Sequence, residues 1–382
     1  MRIRAAVLRE PGRPIALEEV ELDPPKPDEV LVRVAAAGVC RSDLHLAEGV
    51  LGAGRWPMVL GHEGAGVVEA VGDRIMHVAP GDRVAFCFVP ACGSCRPCRA
   101  GHATLCEPAG KHGAAGVLMD GTSRLRLPDG TVLQHGLMTA CFAERAVVAG
   151  AGVVPLGAGI PLWQAALLGC GVVTGIGAVR NTAAVQIGES VCVIGCGGVG
   201  LHVVSGARLA GARQIVAVDR SPQKLELARR HGATDAVDSS TADPVAAVRE
   251  LAGGGVDHAL EVVGRPETIR AAWDVLRPGG TAVVVGLAPR GVEISLPAIE
   301  FLSEKSIKGC YYGSASVADA LPHIVSLVAQ GRLELADVVS HFVPLDGINE
   351  ALARLRYGEG ARTIVVLDPD LAEAPSGNGG AR

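Results

Sequence analysis

Aromatic side chains are scarce: three Trp, three Tyr and five Phe make up 3% of 382 residues. Large rings therefore cannot fill the cores. With 49% of residues hydrophobic, Val, Leu and Ala must do so instead. An excess of positive charge is also missing, since 35 Lys and Arg stand against 40 Asp and Glu, for a net charge of −5. That leaves no basic footprint for nucleic acid and no polybasic patch for anionic lipid. The opening residues, Met1 to Glu10, lack the long apolar run of a secretory leader, so a cytoplasmic protein is expected. Residues 146–179 carry no charge and are long enough to span a bilayer. Pro155, Pro161 and glycines from Gly150 to Gly177 interrupt them, which suits a buried domain junction better than a span. No internal repeat is evident. The eleven cysteines are odd in number and lack a secretory context, which favours metal binding over a disulfide framework.

The most informative stretch is Val191 to Leu201. Val191 to Ile194 reads as a buried parallel strand that stops at Gly195. Gly195, Gly197 and Gly200 then have the G-x-G-x-x-G spacing, and a helix continues from Leu201 to Leu209. A second strand, Gln214 to Val218, ends at Asp219, 24 residues after Gly195. In this order the pattern is a dinucleotide fingerprint. One glycine makes the turn, one admits the pyrophosphate and one lets helix and strand pack. Asp219 would meet the adenosine ribose and repel a 2′-phosphate, favouring NAD over NADP, while the adjacent Arg220 would soften that preference.

Length suggests two domains or three. Strands are expected at residues 2–8, 30–36, 67–71 and 83–86, in a β-rich first half with few helices. Within it, Cys92, Cys95, Cys98 and Cys106 form C-x2-C-x2-C-x7-C, four thiolates in fifteen residues. Such a set closes a tetrahedron around Zn²⁺ and leaves no open position, which makes the site structural. Disulfides or free thiols remain open as alternatives, as does a zinc ribbon for nucleic acid, although only Arg96 and Arg99 flank the cluster. From about residue 174 strands and helices alternate: helix 221–231, strand 236–237, helix 244–252, strand 258–262, helix 266–276, a turn at 278–280, and strands 281–285 and 307–312. That is the pattern of a doubly wound parallel sheet. A helix over 318–330 and strands at 338–344 and 363–367 follow. Residues 111–137 read as a long loop.

Beyond spacing lies a resemblance. Gly61-His62-Glu63-Gly-Ala-Gly66 with Gly72 and Ile75, Gly38-Val-Cys40-Arg41-Ser42-Asp43-Leu-His45, the four-cysteine lobe and Gly169-Cys170-Gly171 occur in order. So do the glycine fingerprint, Asp120-Gly-Thr-Ser-Arg124 and Arg362-Thr363. Together they resemble the zinc-containing medium-chain alcohol dehydrogenases, over the chain up to about residue 368. The nearest branch holds liver alcohol dehydrogenase and glutathione-dependent formaldehyde dehydrogenase. The resemblance implies an α/β fold: a Rossmann doubly wound parallel sheet domain plus a β-rich GroES-like catalytic domain with a structural zinc lobe. The expected bounds are a catalytic domain at 1–173 with its lobe at 87–110, an NAD-binding domain at 174–312, a return to the catalytic domain at 313–371, and a disordered tail at 372–382.

The resemblance further implies two Zn²⁺ per chain. Cys40, His62 and Cys170 hold the catalytic ion, with Glu63 behind it as a transient ligand. Asp43 orients His62, and Ser42 and His45 relay the alcohol proton. Arg41 and Arg362 meet the pyrophosphate, Lys224 joins Asp219 and Arg220 near the ribose, and Thr174 backs the nicotinamide. Gly198, Val199, Val263, Val285, Gly286 and Leu287 complete the NAD site. Leu51, Phe88, Gly136, Leu137, Leu287 and Tyr311 wall the substrate. Gly136 stands where liver-type enzymes have a large aromatic, so a roomier pocket for a bulky or aryl-alkyl alcohol is expected. The 111–137 insertion points to a homodimer.

The expected activity is reversible hydride transfer between an alcohol and NAD. Glutathione-dependent formaldehyde dehydrogenase, a nicotinoprotein with non-exchanging NAD and a non-catalytic scaffold are the rivals.

Overall fold

The computed structural model describes residues 1–51, 56–157 and 159–375. The chain divides into two compact units, Met1–Cys170 joined by the segment from Ser316 onward, and Gly171–Ala315.

In the first unit the strands are those of a Val/Ala-rich chain. Most are short and packed over small side chains; Glu29–Val39, with eleven residues, is the exception. Arg2–Leu8, Ala16–Leu22, Leu125–Arg126, Val132–His135 and Met58–Val59 form a closed barrel. A second sheet is built on the long strand Glu29–Val39, which pairs antiparallel with Glu63–Val71, Arg145–Ala149 and Arg362–Val366. Val30, Val32, Val34, Ala37 and Val39 of that strand enter the core with Phe86 and Phe142. The register sets Gly38 opposite Glu63, and Val39 opposite Thr363. Three chain segments far apart in sequence thus deliver Cys40, His62 with Glu63, and Arg362 to one end of one sheet.

The second unit is a six-stranded parallel sheet. Its order is Asp235–Asp238, Gln214–Asp219, Ser190–Ile194, Val256–Glu261, Leu276–Val284, Ser306–Gly309. In chain order this is 3-2-1-4-5-6, the doubly wound arrangement whose crevice lies outside the carboxyl ends of the strands. Between strands run the helices Gly198–Leu209, Pro222–His231, Pro244–Leu251 and Pro266–Asp274. Ser221 caps the second by accepting from the Lys224 N–H, and Asp243 caps the third by accepting from the Val245 N–H. Gly195 turns at φ +96, and a Cβ on Gly200 would lie 1.8 Å from the Gly195 carbonyl oxygen. Only glycine at 200 lets the helix start this close to the strand.

Three expectations are corrected and one element is added. Residues 111–137 are not a long loop: they hold the end of helix Glu107–Ala115 and two barrel strands, of two and four residues, too short to show an alternation. The helix Arg41–Ala47 was not foreseen, because seven residues give no apolar period. The strand expected to begin after the 278–280 turn instead starts at Leu276, with a register shift opposite Val256 and His258. Ala372 is buried at the end of the short helix Pro369–Ala372, and Glu373 pairs with Arg83, so order continues past the position where the tail is expected to begin. Residues 376–382 lie outside the described residues. The charge-free segment resolves into separate short strands and helices. No single helix among the described residues is long and apolar enough to cross a membrane.

Around Arg124 the barrel encloses a charged network. The Arg124 side chain is 2% exposed, donates to Glu29 at 2.8 Å and Asp120 at 2.8 Å, and its backbone N–H donates to His135 Nε2 at 3.1 Å. Burial, then the Arg124 charge, push the His135 imidazole down to about 3. Unfolded, it titrates near 6.5. The unfolded chain therefore takes up a proton that the native state refuses. This contribution to stability is complete above about pH 6.5 and is lost as pH falls towards 3. Between about pH 7.5 and 5 the loss is about 2 kcal/mol. Urea denaturation should show His135→Gln losing less stability than wild type over that interval by this amount. Parallel pH profiles would contradict the assignment.

Candidate metal centres and nucleotide site

The first centre starts from the end of the Glu29–Val39 strand. Cys40 caps the helix Arg41–Ala47, and its third residue, Asp43, turns back so that Oδ2 accepts the Cys40 N–H at 3.1 Å. The other oxygen, Oδ1, accepts the Gly61 N–H at 3.1 Å and lies 3.0 Å from His62 Nδ1. Asp43 is 1% exposed. A carboxylate there fixes the proton on Nδ1, which leaves His62 Nε2 as a bare acceptor. That atom is buried and has no hydrogen-bond partner. Beside it, Cys40 Sγ and Cys170 Sγ lie 4.0 Å apart. Donor atoms of Cys40, His62, Glu63 and Cys170 all fall within 4.8 Å of one another.

A buried acceptor with nothing to accept from, flanked by two thiols, is the donor set that a borderline-soft cation satisfies. These residues therefore fit a zinc ion. The hydrogen bond with Cys170, helped by Arg362 and His62, holds Cys40 well below the usual thiol range, and the same bond pushes Cys170 up. Glu63 is pushed up to about 7 by burial, against the pull of Arg362.

Around this centre Ser42 Oγ stands 3.9 Å from Cys40 Sγ. The Phe88 ring meets the His62 ring edge-on at 4.9 Å. His45 is half-buried with its Nδ1 unpartnered, and burial, then Arg41, lower its pKa. Arg41 is exposed. Arg362 occupies a place the sequence did not foretell: its guanidinium is buried, 3.1 Å from Glu63 Oε1, and donates to the Val39 carbonyl.

The second centre gathers Cys92, Cys95, Cys98 and Cys106, again within 4.8 Å. Backbone N–H groups of Cys95 and Cys92 donate to the sulfurs of Cys92 and Cys106, each at 3.3 Å. With the backbone N–H groups of Ser94 and Cys95 on its sulfur, Cys92 is brought down to about 6. All eleven cysteines are unbridged.

In the second unit Gly195, Gly197, Gly198, Val199 and Gly200 line the turn from strand Ser190–Ile194 into its helix. Asp219 closes that turn: Oδ2 accepts the Cys196 N–H at 2.8 Å and Oδ1 the Ser221 N–H at 2.9 Å. A Cβ on Gly197 would meet nothing, which leaves the space a pyrophosphate needs. Lys224 is half-buried and Arg220 exposed nearby in sequence. Glu261 ties the carboxyl ends of two strands. Its side chain accepts from the Val263 and Gly264 N–H groups, and its carbonyl from those of Val285 and Gly286. Thr174, buried, and Leu287 and Tyr311, exposed, also belong to this unit.

The expected substrate wall divides between the units, with Leu51, Phe88, Gly136 and Leu137 in the first. The roomier pocket expected from Gly136 is corrected. A Cβ there would sit 2.7 Å from the Val59 oxygen and 2.8 Å from Leu60 Cα. The missing side chain is filled by neighbouring backbone and leaves no space. Thr139, which no sequence pattern singled out, hydrogen-bonds the Gly61 carbonyl at 2.7 Å.

The comparisons agree with this geometry. The alcohol dehydrogenase GroES-like domain matches residues 26–158, and the zinc-binding dehydrogenase family matches residues 198–329. S-(hydroxymethyl)glutathione dehydrogenase of Photobacterium damsela subsp. piscicida is 41% identical over 368 residues, 96% of this chain and all of that protein. The chain belongs to the zinc-dependent alcohol dehydrogenases. Among solved structures, an alcohol dehydrogenase zinc-binding domain protein from Burkholderia ambifaria superposes with a TM-score of 0.92 at 38% identity, covering 96% of this chain and 99% of that one. Benzyl alcohol dehydrogenase from Acinetobacter calcoaceticus superposes with 0.91 at 33% identity, over the same shares. This alcohol dehydrogenase is thus an oxidoreductase that uses zinc and a nicotinamide nucleotide for hydride transfer. The GroES-like and Rossmann domains are the family's.

Metal analysis of variants separates the two centres. Wild type should carry two zincs per chain. Cys40→Ser should keep one, hold its melting temperature within a few degrees and lose turnover. Cys98→Ser should lose the lobe zinc and unfold at markedly lower temperature. Equal melting temperatures for the two variants would mean that the roles are misassigned.

Proposed function

We propose that this alcohol dehydrogenase oxidises an alcohol with an apolar, aryl-alkyl body to its carbonyl product, with NAD as acceptor. The observation that carries the site assignment is His62 Nε2, buried, unpartnered and flanked by thiols 4.0 Å apart. Cys40, Cys170 and His62 hold the catalytic zinc, and the four lobe cysteines hold the structural one. When bound, zinc supplies the Lewis acidity that lowers the pKa of an alcohol. The side chains do the rest. Two thiolates and a neutral imidazole balance the charge of the ion and leave one position open. Asp43 keeps the imidazole in the tautomer that offers Nε2. Ser42 Oγ would take up the hydroxyl proton, and His45 would be its onward acceptor. Arg41 would serve the pyrophosphate, while Arg362, paired with Glu63, braces the donor set from behind; Asp219 would meet the ribose and select NAD over NADP by charge.

In support of this class, the residues expected to wall the substrate, Phe88, Leu51 and Leu137 in the first unit and Leu287 and Tyr311 in the second, are aliphatic or aromatic. Phe88 stands edge-on to the ring of the ligand histidine, which puts an aromatic side chain beside the donor set. The likeness to benzyl alcohol dehydrogenase supports this choice. A second reading, oxidation of S-(hydroxymethyl)glutathione, is favoured by the 41% identical relative. That substrate brings carboxylates and an ammonium, for which the named wall offers no partner. The enzyme is read as cytoplasmic and as a homodimer. In support of the dimer, Ser306–Gly309 is an edge strand, and exposed Ile299, Phe301 and Leu302 precede it.

A substrate panel followed by nicotinamide absorbance tests the choice. Benzyl alcohol and its homologues should turn over without glutathione, with kcat/KM at least about tenfold above ethanol, as burial of a ring allows. Turnover of formaldehyde that requires glutathione, with aryl-alkyl alcohols inert, would establish the second reading instead.

A further inference from the structure

We propose that Thr139 is a positioning residue for His62, keeping the imidazole aimed at the other donors of the site and anchoring that hold in the four-cysteine lobe. The proposal rests on His62 being a zinc ligand. Gly61 precedes His62, and the peptide plane between them carries the Gly61 carbonyl and the His62 N–H. That carbonyl accepts twice, from Thr139 Oγ1 at 2.7 Å and from the Cys141 N–H at 3.0 Å. The plane before Gly61 is held as well: its N–H goes to Asp43, and the Leu60 carbonyl accepts the Phe142 N–H at 3.0 Å. Gly61 itself has φ +94, and a Cβ there would lie 2.5 Å from the Phe142 nitrogen. Left to itself, such a glycine would let the His62 Cα–Cβ vector swing. The hydrogen bonds on both flanking planes remove that freedom.

The segment supplying Thr139 is strained. Leu137, Met138 and Ala140 all have positive φ, at 48°, 61° and 55°, and none is glycine. Strain of this kind persists only where the surroundings over-determine the backbone. Here Gly136 is wedged against Val59 and Leu60 on one side. On the other, Met138 packs among Cys92, Cys95, Cys98, Cys106, Ala109 and Met119. Thr139 is wholly buried between these anchors. The lobe therefore fixes Met138, Met138 fixes Thr139, and Thr139 fixes the peptide that aims His62. A metal site tolerates little misdirection of its ligands, and groups that orient a ligand affect metal retention tenfold or more.

The test uses the full-length enzyme with cobalt in the three-donor site and zinc kept in the lobe. Thiolate-to-cobalt absorption and the rate of cobalt loss to a chelator are read in wild type, Thr139→Val and Thr139→Ser. Thr139→Val should shift the absorption and lose cobalt about tenfold faster, with the lobe zinc retained, while Thr139→Ser keeps the wild-type values. Wild-type absorption and release in Thr139→Val would overturn the proposal. So would a Thr139→Ser protein as impaired as Thr139→Val, which marks packing by the methyl group as the cause. If Thr139→Val does not fold, Thr139→Ala removes the hydroxyl without crowding the site and is judged by the same two results. A wild-type protein without the thiolate–cobalt band would overturn the Cys40 and Cys170 ligand set, and with it the metal site on which the proposal rests.

Discussion

The first unit depends on one buried carboxylate. Asp43 accepts the N–H of Cys40 and the N–H of Gly61 and fixes the Nδ1 proton of His62. Two ligands that are distant in sequence are thereby referred to a single group. Burying an isolated carboxylate is costly, and three hydrogen bonds of this kind are what make it tolerable. The same bonds mean that removing Asp43 would disturb two ligands at once. Behind the donors, Glu63 and Arg362 make a buried ion pair. Burial pushes Glu63 up, and His62 Nε2 is buried without a hydrogen-bond partner. A donor set of this charge and softness suits a cation.

The sheet explains why these groups meet. The Glu29–Val39 strand has Glu63–Val71 on one side and Arg362–Val366 on the other, and its last residue precedes Cys40. Register, being fixed by burial on both faces, then becomes site geometry. In the second unit the same logic puts the glycine turn and Asp219 at the carboxyl ends of adjacent parallel strands. The two metal centres differ in how they are built. The lobe takes all its donors from one short run. The three-donor site takes them from positions 40, 62 and 170, as a site with an open position does when it must be placed by the core.

That difference also decides what could be read from the chain. The four-cysteine lobe was legible from spacing alone, because its geometry is local. The parallel sheet was legible from apolar runs, glycines and proline-led helices. Cys40, His62 and Cys170 were joined only by family likeness, since nothing local links residues brought together by long-range strand pairing. The helix Arg41–Ala47 and the barrel strands near Leu125 and Val132 escaped because they are shorter than any period. Gly136 was misread for a different reason. A missing side chain marks either a cavity or a close approach of backbone, and only the position of Val59 and Leu60 separates the two. Thr139 gave no signal, being one hydroxyl in an irregular stretch.

The central claim is that two zinc sites of different composition coexist, one all-sulfur and closed, the other with two sulfurs, one imidazole and an open position. X-ray absorption at the zinc edge of the fully loaded enzyme tests it most directly. The mean shell should be three sulfurs at about 2.3 Å and one nitrogen or oxygen at about 2.0–2.1 Å per zinc. A shell of four sulfurs alone, or one dominated by nitrogen and oxygen, would contradict it.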